Sequence, residues 1–455
     1  MINIKIDSRK IVQGDTFVAL PGTNVDGHDF IDKAIENGAT RVVVERDVEC
    51  SVEKLVVPNT NEWLTNYVSE TYKDTINEMN IIGVTGTNGK TTTAYLTYQM
   101  LNKLGNKTAY IGTIGFYLPD EDMVEIPNTT PNILDLYELL LTAKEKGCKN
   151  VMMEVSSHAL HQRRVEGINY KVAAFTNLTQ DHLDYHKTME EYLAAKQLIL
   201  KQLDGPMLVN SDDATASKWK EAYENTFDYG FNAQDYKILS YEETNNGTLI
   251  KFTKDNKEYE VNTNLKSKFN VYNYLTTLTI VNNLGYSIEE IIKITSEIYP
   301  PKGRCELIKV KGGFAVVDYA HTPDAVEKII TAFNENKKGR VITLVGCGGD
   351  RDPVKRPIMG RIAAENSDYV IFTSDNPRTE DPQVIMDNIL AGVTTDNYEV
   401  ELDRRSAIKK ALDMMKDNDY VLILGKGHED YQIIGREKIH LDDAEEVQKY
   451  IENTK

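Results

Sequence analysis

The chain has 455 residues, of which 41% are hydrophobic and 27% are charged, and its formal net charge is -18. This length exceeds what one hydrophobic core usually supports, so two to four domains are expected. The negative charge argues against broad contact with nucleic acid or an anionic membrane, because an acidic surface repels both. Any anionic ligand must therefore be held by local lysines, arginines and helix ends.

The cysteines and the apolar runs indicate the cellular compartment of the protein. Cys50, Cys148, Cys305 and Cys347 are far apart and form no Cys-x-x-Cys pair, which predicts reduced thiols in a cytosol. The strongest apolar run, YVLIL at 420–424, is far too short to span a bilayer, and the amino terminus lacks the apolar stretch of a signal peptide. We therefore predict a cytoplasmic protein without membrane insertion.

The predicted elements begin with short β-rich runs in the first 80 or so residues, such as TFVAL and RVVVE. The strand IIGVTG then opens a long α/β stretch, in which the apolar runs NVMMEVSS and KVAAFTNL lead into polar loops. Such runs are typical of a buried parallel sheet, whose active groups gather at the carboxyl ends of the strands. The polar, β-like composition of 231–263 predicts an antiparallel addition at the sheet edge.

A second α/β region follows a hinge that the segment IYPPKGRCE predicts near residue 300. The strands FAVVDYA, RVITLVG, DYVIFTS and DYVLILG alternate there with helical patterns, which is typical of a Rossmann-like domain. We therefore predict an α/β protein of three domains, with boundaries at 1–79, 80–300 and 301–455.

A glycine-bearing loop between a strand and a helix predicts a phosphate site. The general P-loop pattern is Gly-x4-Gly-Lys-Ser/Thr, but Val84 occupies the first position, so only Gly86-x-x-Gly89-Lys90-Thr91 remains. The glycines let backbone N–H groups turn toward phosphate oxygens, Lys90 can bridge the terminal phosphates, and Thr91 can reach Mg²⁺. A tight turn with an exposed lysine is the alternative. The loop alone leaves kinase, GTPase, motor and ligase open.

Polar residues after the next two apolar runs are further candidates. Glu154 lies near the end of NVMMEVSSHAL, where a metal-binding carboxylate is expected, and the loop of NLTQDHLDYH follows the next strand. That loop contains Asp181, His182, Asp184 and His186. A zinc pair of histidines, a structural loop, and a Mg²⁺ or phosphate role for His182 all remain open, although no third zinc ligand has metal-site spacing. Lys196, in YLAAKQLIL, is expected from spacing alone to snorkel to the surface.

Nine motifs occur in a fixed order along the chain. They are GTNGKTTT, EVSSHAL, NLTQDHLDYH, AAKQLIL, FNVYN, GRCE, DYAHTPDAV, DNPR and GKGHE. In this combination the chain resembles the Mur ligase family, the ATP-dependent amide-forming enzymes of peptidoglycan precursor assembly, over nearly its whole length. The similarity is strongest to the members that add 2,6-diaminopimelate. It implies a UDP-binding amino-terminal domain, a central P-loop ATPase domain, and a carboxyl-terminal domain that binds the amino acid.

The resemblance also implies roles around the ATP phosphates. The phosphate loop would comprise Gly86, Thr87, Asn88, Gly89, Lys90, Thr91 and Thr92. Thr91 and Glu154 match Mg²⁺ ligands, and His182 matches a second Mg²⁺ site. Lys196 matches a lysine that family members carbamylate with CO2, which turns a cation into a carboxylate able to support the second metal. We expect Lys90, Glu154, His182 and Lys196 to form the catalytic group.

Three further sets of residues match substrate-binding positions of the family. Adenine, ribose and phosphate contacts are implied for Asn270, Asn273, Arg304 and Asp318. Contacts with the UDP-N-acetylmuramoyl-dipeptide are implied for Ser8, Thr129, Thr130, Ser156, Gln162 and Arg164. Contacts with the amino acid are implied for Arg351, Asp375, Asn376, Pro377, Arg378, Gly425 and Glu429. Each of the residues matched to the dipeptide substrate could, taken alone, be a cap, a turn or a surface residue.

The implied reaction joins the γ-carboxylate of D-glutamate to an amine through an acyl phosphate, with closure of the domains around the hinge. Lysine ends in an ammonium alone, whereas meso-diaminopimelate adds a carboxylate that Arg378, in DNPR, can bind bidentately. A solvated arginine in a turn is the alternative. Addition of L-lysine, a folylpolyglutamate synthetase and a non-catalytic ATP-binding switch also remain as alternatives. The folate enzyme should lack the amino-terminal domain and the DNPR and GKGHE pair. We expect a monomer.

Overall fold

The computed structural model describes residues 2–22, 25–244, 247–335 and 337–454, and all of their side chains except that of Asp184. Three sheets follow one another along the chain, and a two-stranded hairpin lies near the carboxyl end. Within these ranges none of the helices combines the length and the apolar character that a membrane crossing requires.

The first sheet is small and entirely parallel. Its four strands, which are neighbours in chain order, are β1 (Ile4–Lys5), β2 (Thr16–Val18), β3 (Arg41–Val44) and β4 (Glu53–Val56). Its helices are α1 (Ile31–Glu36) and α2 (Thr60–Ile76). Successive strand residues point to opposite faces, so Val42 packs in the core with α1 and Val43 in the core with α2. The second of these cores continues into the central sheet.

The central sheet has ten strands. They are β5 (Asn80–Thr85), β6 (Thr108–Gly112), β7 (Gly115–Tyr117), β8 (Asn150–Glu154), β9 (Tyr170–Phe175), β10 (Met207–Asn210), β11 (Thr226–Gly230), β12 (Tyr236–Thr244), β13 (Gly247–Lys254) and β14 (Lys257–Thr263). Their spatial order is β14-β13-β12-β11-β10-β9-β5-β8-β6-β7. β12 pairs with β13 and β13 pairs with β14 in antiparallel fashion, which confirms the edge addition predicted for 231–263.

Helices cover both faces of this sheet. They are α3 (Lys90–Lys103), α4 (Ile133–Glu145), α5 (Ser157–His161), α6 (Leu183–His186), α7 (Met189–Gln197), α8 (Ala216–Ala222), α9 (Lys268–Asn283) and α10 (Ile288–Ile294). Apolar residues of α3 and α9 pack on one face and those of α4 on the other. The central strands β5, β8 and β9 are therefore almost wholly buried, as their continuous apolar runs predicted.

The third sheet has six strands. They are β15 (Glu306–Val310), β16 (Gly313–Asp318), β17 (Val341–Val345), β18 (Tyr369–Phe372), β19 (Tyr398–Val400) and β20 (Tyr420–Leu424), in the spatial order β15-β16-β20-β17-β18-β19. All neighbours are parallel except β15 and β16. The segment 298–305, which joins this unit to the central one, forms neither helix nor strand.

Helices on both faces make the third unit a doubly wound α/β layer. They are α11 (Pro323–Glu335), α12 (Lys355–Asn366), α13 (Pro382–Leu390), α14 (Arg404–Met414) and α15 (Asp443–Asn453). The first three pack on one face of the sheet, and α14 and α15 on the other. The hairpin of β21 (Tyr431–Ile434) and β22 (Glu437–His440) follows β20. Loops at the carboxyl ends of β17, β18 and β20 therefore lie side by side, and this edge is where α/β sheets usually carry a binding site.

Candidate active site

The phosphate loop joins β5 to α3 at the carboxyl edge of the central sheet. Gly86 and Gly89 have φ angles of 143° and 85°, in the region that glycine adopts without strain. A Cβ atom at Gly86 would lie 1.9 Å from Thr176 Oγ1, and one at Gly89 would lie 2.4 Å from Asn273 Oδ1. Both positions therefore require glycine, because neighbouring side chains occupy the space of a Cβ.

Lys90 begins α3 and folds back over this loop. Its Nζ atom donates to the main-chain oxygens of Gly86, at 3.0 Å, and of Thr87, at 2.8 Å. Burial lowers the pKa of Lys90, although the charges of Glu154 and Asp181 oppose that shift. A lysine and the first N–H groups of a helix thus face the same loop, which is the arrangement that a phosphate site requires.

Glu154 ends β8 and is completely buried beside the phosphate loop. Its Oε2 atom accepts a 2.9 Å hydrogen bond from Thr91 Oγ1, and its Oε1 atom accepts a 2.6 Å bond from Tyr110 OH. Thr113 adds bonds from its N–H, at 2.8 Å, and from its hydroxyl, at 3.2 Å. Hydroxyl and carboxylate oxygens are the ligands that Mg²⁺ prefers, so Thr91 and Glu154 fit a magnesium ion next to the phosphates.

Lys196 reaches the same loop from α7. It is 1% exposed, so the expectation that it snorkels to the surface is wrong. Its Nζ atom donates to the oxygen of Gly86 at 2.8 Å and lies 4.4 Å from the centroid of the Tyr192 ring. Burial, together with the charge of Lys90, holds the pKa of Lys196 well below its ordinary value. A neutral amine is the form that reacts with CO2, so the site fits a carbamate.

His182 lies in the loop after β9, at the start of α6. Its φ of 54° is in the left-handed region, which few residues other than glycine adopt. Its Nε2 atom is 3.4 Å from Asp181 Oδ2, and its ring centroid is 6.0 Å from that of Tyr192. His182 and Lys196 therefore contact the same tyrosine ring, which brings the two residues predicted for a second metal site together.

His186 is buried, and its imidazole lies against a serine. Its Nε2 atom lies 2.9 Å from Ser157 Oγ. Burial and the neighbouring imidazoles of His158 and His161 lower the pKa of His186 to about 4. In the part of the chain that the structure describes, no three His, Cys, Asp or Glu side chains converge as metal ligands, so the zinc alternative lacks a ligand set there.

Three residues predicted to contact the dipeptide substrate meet beside Glu154. Thr130 Oγ1 donates to the main-chain oxygen of Glu154 at 2.9 Å and accepts from the N–H of Ser156 at 3.1 Å. Thr129 Oγ1 is 3.0 Å from Thr113 Oγ1, which itself donates to the Glu154 carboxylate. Hydrogen bonds therefore connect these three residues to Glu154, which belongs to the predicted metal site.

Two more of these residues join the group through a guanidinium. Arg164 donates from Nη1 to the oxygen of Thr130 at 3.1 Å and from Nε to Gln162 Oε1 at 2.9 Å. Ser8 lies instead in the first unit, where it is buried and its main-chain oxygen accepts a 2.8 Å bond from Asn37. The structure thus brings five of the six predicted residues together and places Ser8 with the first sheet.

The residues predicted to bind the adenine side lie in the first turns of α9. Asn270 and Asn273 are buried, and Asn273 Nδ2 donates to Asn270 Oδ1 at 2.9 Å. Asn273 also faces Gly89 across the contact described above, so these amides lie directly against the phosphate loop.

Arg304 and Asp318 meet at the start of the third unit. The N–H of Cys305 donates to Asp318 Oδ2 at 2.7 Å, and burial raises the pKa of Asp318. The Arg304 guanidinium carbon lies 4.6 Å from the centroid of the Tyr319 ring. Its Nε atom is buried and, among the described residues, has no hydrogen-bond partner, so a further acceptor would satisfy it.

The predicted amino-acid site combines loops from β18 and β20. Asn376 Nδ2 donates to Glu429 Oε2 at 2.8 Å. Lys426 Nζ donates to the same Glu429 oxygen at 3.0 Å and to Asn376 Oδ1 at 3.2 Å. Lys426 is fully buried, and its ammonium closes a ring of hydrogen bonds between the two loops. The sequence analysis missed this residue, although it lies within GKGHE.

Arg378 lies at the edge of this ring, with a φ of 52°. The main-chain N–H of Arg378 donates to the main-chain oxygen of Ile433 at 3.0 Å. This bond connects the DNPR loop to the hairpin of β21 and β22. The Nη1 atom of Arg378 donates to the oxygen of Gly349 at 2.8 Å. The guanidinium therefore lies over the loop after β17, which also carries Arg351, and its remaining donors can serve a carboxylate.

The other predicted residues of this site make close backbone contacts. A Cβ at Gly425, whose φ is 113°, would lie 2.6 Å from Asp375 Oδ2. A Cβ at Gly349 would lie 1.9 Å from the oxygen of Pro377. Loops from three neighbouring strands therefore pack tightly at one carboxyl edge of the sheet.

Asp324, in the first turn of α11, links the third unit to the phosphate loop. Its Oδ2 atom accepts from Asn88 Nδ2 at 2.9 Å and from Thr179 Oγ1 at 3.2 Å. Asp324 lies within the quoted motif DYAHTPDAV, but an acidic residue is also common in the first turn of a helix, so the sequence alone did not predict this contact. Thr113 was also missed, yet it directly follows β6, and the strand-end rule could have identified it.

Comparison with known proteins places these features in a family. Residues 2–79, 84–281 and 303–427 match the families described as "Mur ligase family, catalytic domain", "Mur ligase middle domain" and "Mur ligase, glutamate ligase domain". The chain is 40% identical over 460 residues to the UDP-N-acetylmuramoyl-L-alanyl-D-glutamate–2,6-diaminopimelate ligase of Bacillus cereus, covering 99% of this chain and 94% of the relative.

Two solved structures extend the comparison. A protein with the same ligase name is 31% identical, with a TM-score of 0.70, and the match covers 100% of this chain and 95% of that one. The folylpolyglutamate synthase of Mycobacterium tuberculosis, solved with ADP, has a TM-score of 0.66 at 13% identity, covering 80% and 92% of the two chains. The second likeness is one of fold alone.

Proposed function

Because this chain belongs to the Mur ligase family of ATP-dependent ligases, we propose that it joins meso-2,6-diaminopimelate to the γ-carboxylate of D-glutamate in UDP-N-acetylmuramoyl-L-alanyl-D-glutamate. The product would be a precursor of peptidoglycan, and ATP would be split into ADP and phosphate. The observation that carries the proposal is the amino-acid site, where Arg378, Asn376 and Glu429 offer donors and an acceptor suited to a carboxylate beside an amine.

The first step would activate the carboxylate, which is a poor electrophile. One of its oxygens attacks the γ-phosphorus of ATP, the bond from that phosphorus to the oxygen of ADP breaks, and an acyl phosphate forms. Lys90 and the first N–H groups of α3 would orient the phosphates and stabilise the charge that develops on them. Arg304, with its buried unpaired Nε atom, would supply a further positive charge.

The residues near the phosphate loop fit two magnesium positions. Thr91 and Glu154 would hold one ion, and His182 with a carbamylated Lys196 would hold the second. Magnesium bound there would offset the repulsion between carboxylate and phosphate and polarise the phosphoryl oxygens. The neutral Lys196 amine would add to the carbon of CO2 and lose one proton, so a buried uncharged group would become an anion.

The second step would form the amide bond. The amine attacks the carbonyl carbon of the acyl phosphate, phosphate leaves with the electrons of the C–O bond, and the amine gives up a proton. Arg378 would bind the second carboxylate of diaminopimelate and Glu429 would accept a hydrogen bond from the adjacent ammonium. L-Lysine lacks that carboxylate, so it would leave the guanidinium without its partner.

Roles for the three domains and a cellular setting complete the proposal. We assign residues 1–79 to UDP-sugar binding, 80–300 to ATP and 301–455 to the amino acid, with closure around the segment near 300 that protects the acyl phosphate from water. We also propose a cytoplasmic monomer that does not bind nucleic acid or insert into membranes. The four cysteines form no disulfide, which suits a reducing compartment.

Phosphate release by the purified protein tests the proposal. The assay contains Mg-ATP and UDP-N-acetylmuramoyl-L-alanyl-D-glutamate with meso-diaminopimelate, with L-lysine, or with no amine. We expect release that depends on meso-diaminopimelate. Release with L-lysine instead would keep the ligase but overturn the assigned pocket, and the absence of release with either amine would contradict the proposal.

A further inference from the structure

A buried ion pair lies directly behind the proposed amino-acid site. Arg404, the first residue of α14, donates from Nε to Asp443 Oδ1 at 2.7 Å and from Nη2 to Asp443 Oδ2 at 2.6 Å. Both side chains are 0% exposed. Two parallel hydrogen bonds of this kind fix the plane of the guanidinium as well as its position.

The guanidinium has further donors that the carboxylate does not use. Its Nη2 atom also donates to the main-chain oxygen of Leu424 at 3.0 Å, and its Nη1 atom donates to that of Ser374 at 3.4 Å. Leu424 immediately precedes Gly425, and Ser374 immediately precedes Asp375. One side chain therefore holds the starting points of both loops that form the site.

The two loops must keep a fixed separation if the site is to bind its ligand. Asn376 and Glu429, two and five residues beyond the anchored oxygens, share a 2.8 Å hydrogen bond. Gly425 and Asp375 are so close that no Cβ fits between them. A small displacement of either loop would therefore change the position of a group that contacts the amino acid.

We infer that Arg404 is a positioning residue for the amino-acid substrate, and that Asp443 holds its guanidinium in place. The inference rests on the proposed function, because it concerns the site assigned to diaminopimelate. A lysine at position 404 would keep the charge opposite Asp443, but its single ammonium cannot span a carboxylate and two separate carbonyl groups. No part of the pair contacts the nucleotide loop, so the effect should be confined to the amino acid.

The same sheet offers a matched control at its opposite end. Arg340 precedes β17 and Asp419 precedes β20, and Arg340 Nη2 donates to Asp419 Oδ2 at 2.7 Å and to the oxygen of Met414 at 2.7 Å. This second pair also joins an arginine to a carboxylate and a carbonyl. It lies at the amino ends of the strands, away from the loops of the site.

Steady-state kinetics of Arg404→Lys and Arg340→Lys test the inference. We expect Arg404→Lys to raise the KM for meso-diaminopimelate about tenfold or more, while the KM for ATP stays within about twofold of the wild-type value. Arg340→Lys should leave the KM values for meso-diaminopimelate and for ATP within about twofold of those of the wild type, even if the substitution lowers Tm. A similar rise in both variants, or an equal rise for ATP and diaminopimelate, would overturn the inference.

A double variant, Arg404→Met with Asp443→Leu, separates positioning from stability. Apolar residues of similar volume often replace a buried ion pair without loss of stability, so Tm should stay close to that of the wild type. The KM for diaminopimelate should nevertheless remain raised, because the carbonyl anchors are gone. A wild-type KM in this variant would contradict a positioning role, and this variant decides the matter if Arg404→Lys does not fold.

Different measurements test the proposed function and the role of the ion pair. Turnover by the wild-type protein reports on the proposed function, whereas the ratio of KM values between variant and wild type reports on the ion pair. If the wild type uses L-lysine, the same ratios measured for lysine test whether Arg404 positions the loops.

Discussion

The Nζ atom of Lys196 donates a 2.8 Å hydrogen bond to the main-chain oxygen of Gly86, the first glycine of the phosphate loop. The same oxygen accepts a 3.0 Å bond from Lys90. A buried lysine, Lys196, and a partly buried one, Lys90, thus share one acceptor. Burial, together with the repulsion from Lys90, lowers the pKa of Lys196 and favours its uncharged amine. Carbamylation would replace this repulsion by attraction, because it places a negative charge beside Lys90.

Replacement of Lys196 should abolish turnover while ATP still binds. Lys196→Ala removes the amine and Lys196→Arg keeps a cation that does not form a stable carbamate, so we expect both to lower kcat by about 100-fold or more. Intact-protein mass in bicarbonate, compared with the same protein after removal of CO2, should show the carbamate on the wild type only. Full activity of Lys196→Arg would contradict the assigned role.

Glu154→Gln should impair catalysis through the metal. The substitution keeps the shape of the side chain but removes its charge, so kcat should fall by about 100-fold and the Mg²⁺ concentration needed for half-maximal rate should rise. Tyr110→Phe is the matched control, because it removes only the 2.6 Å bond to Glu154 Oε1 and leaves the carboxylate in place. Equal losses in the two variants would mean that Glu154 is structural.

Arg378→Ala should weaken the use of diaminopimelate far more than the binding of ATP. Loss of a bidentate contact to a carboxylate should raise the KM for meso-diaminopimelate by about 100-fold, with little change in the KM for ATP. The KM of Arg378→Lys for meso-diaminopimelate should lie between those of the wild type and of Arg378→Ala. Lysine restores the charge but cannot make the bidentate contact of a guanidinium. Parallel losses for both substrates would indicate that the arginine only supports the fold.

Asp324 should help to hold the third unit against the phosphate loop. Asp324→Ala removes the acceptor of Asn88 and Thr179, so we expect the particle in solution to expand and the KM for ATP to change severalfold. Lys328→Ala is the control, since Lys328 bonds Asp324 within one helix. Small-angle scattering with and without an ATP analogue and the dipeptide substrate measures the closure. Identical profiles for all samples would count against it.

Acid should destabilise the fold through His186. Because burial lowers its pKa from 6.5 to about 4, the folded protein binds fewer protons than the unfolded chain between these values. The free energy of unfolding should therefore decrease as the pH falls from 6.5 to 4, and His186→Gln should reduce that dependence. Thermal unfolding of both proteins across this range measures the difference. Identical slopes would show that His186 does not titrate as stated.

The carboxyl ends of several strands were predictable from the sequence, because an apolar run there is followed closely by a polar motif. β5, β8 and β20 each end where a quoted motif begins, and β18 ends two residues before DNPR. Parallel strands place such ends at one edge of the sheet. The antiparallel edge strands were predictable from the polar, β-like composition of 231–263. These features depend on local patterns, which spacing along the chain reveals.

Other parts of the site depend on contacts that spacing does not encode. Lys196 occupies a position that a surface lysine would also occupy, and only the packing of Tyr192 and Gly86 makes it buried. Asn88 and Asp324 are 236 residues apart in sequence. Lys426 is missed for a similar reason, because its partner Asn376 lies in another loop.

The most direct test of the central claim is the mass of the product formed from two competing amines. Wild-type protein is incubated with Mg-ATP, UDP-N-acetylmuramoyl-L-alanyl-D-glutamate and equal amounts of meso-diaminopimelate and L-lysine, and the UDP-linked product is analysed by mass spectrometry. We predict that the product carries diaminopimelate. A product that carries lysine, or an unchanged substrate, would contradict the account.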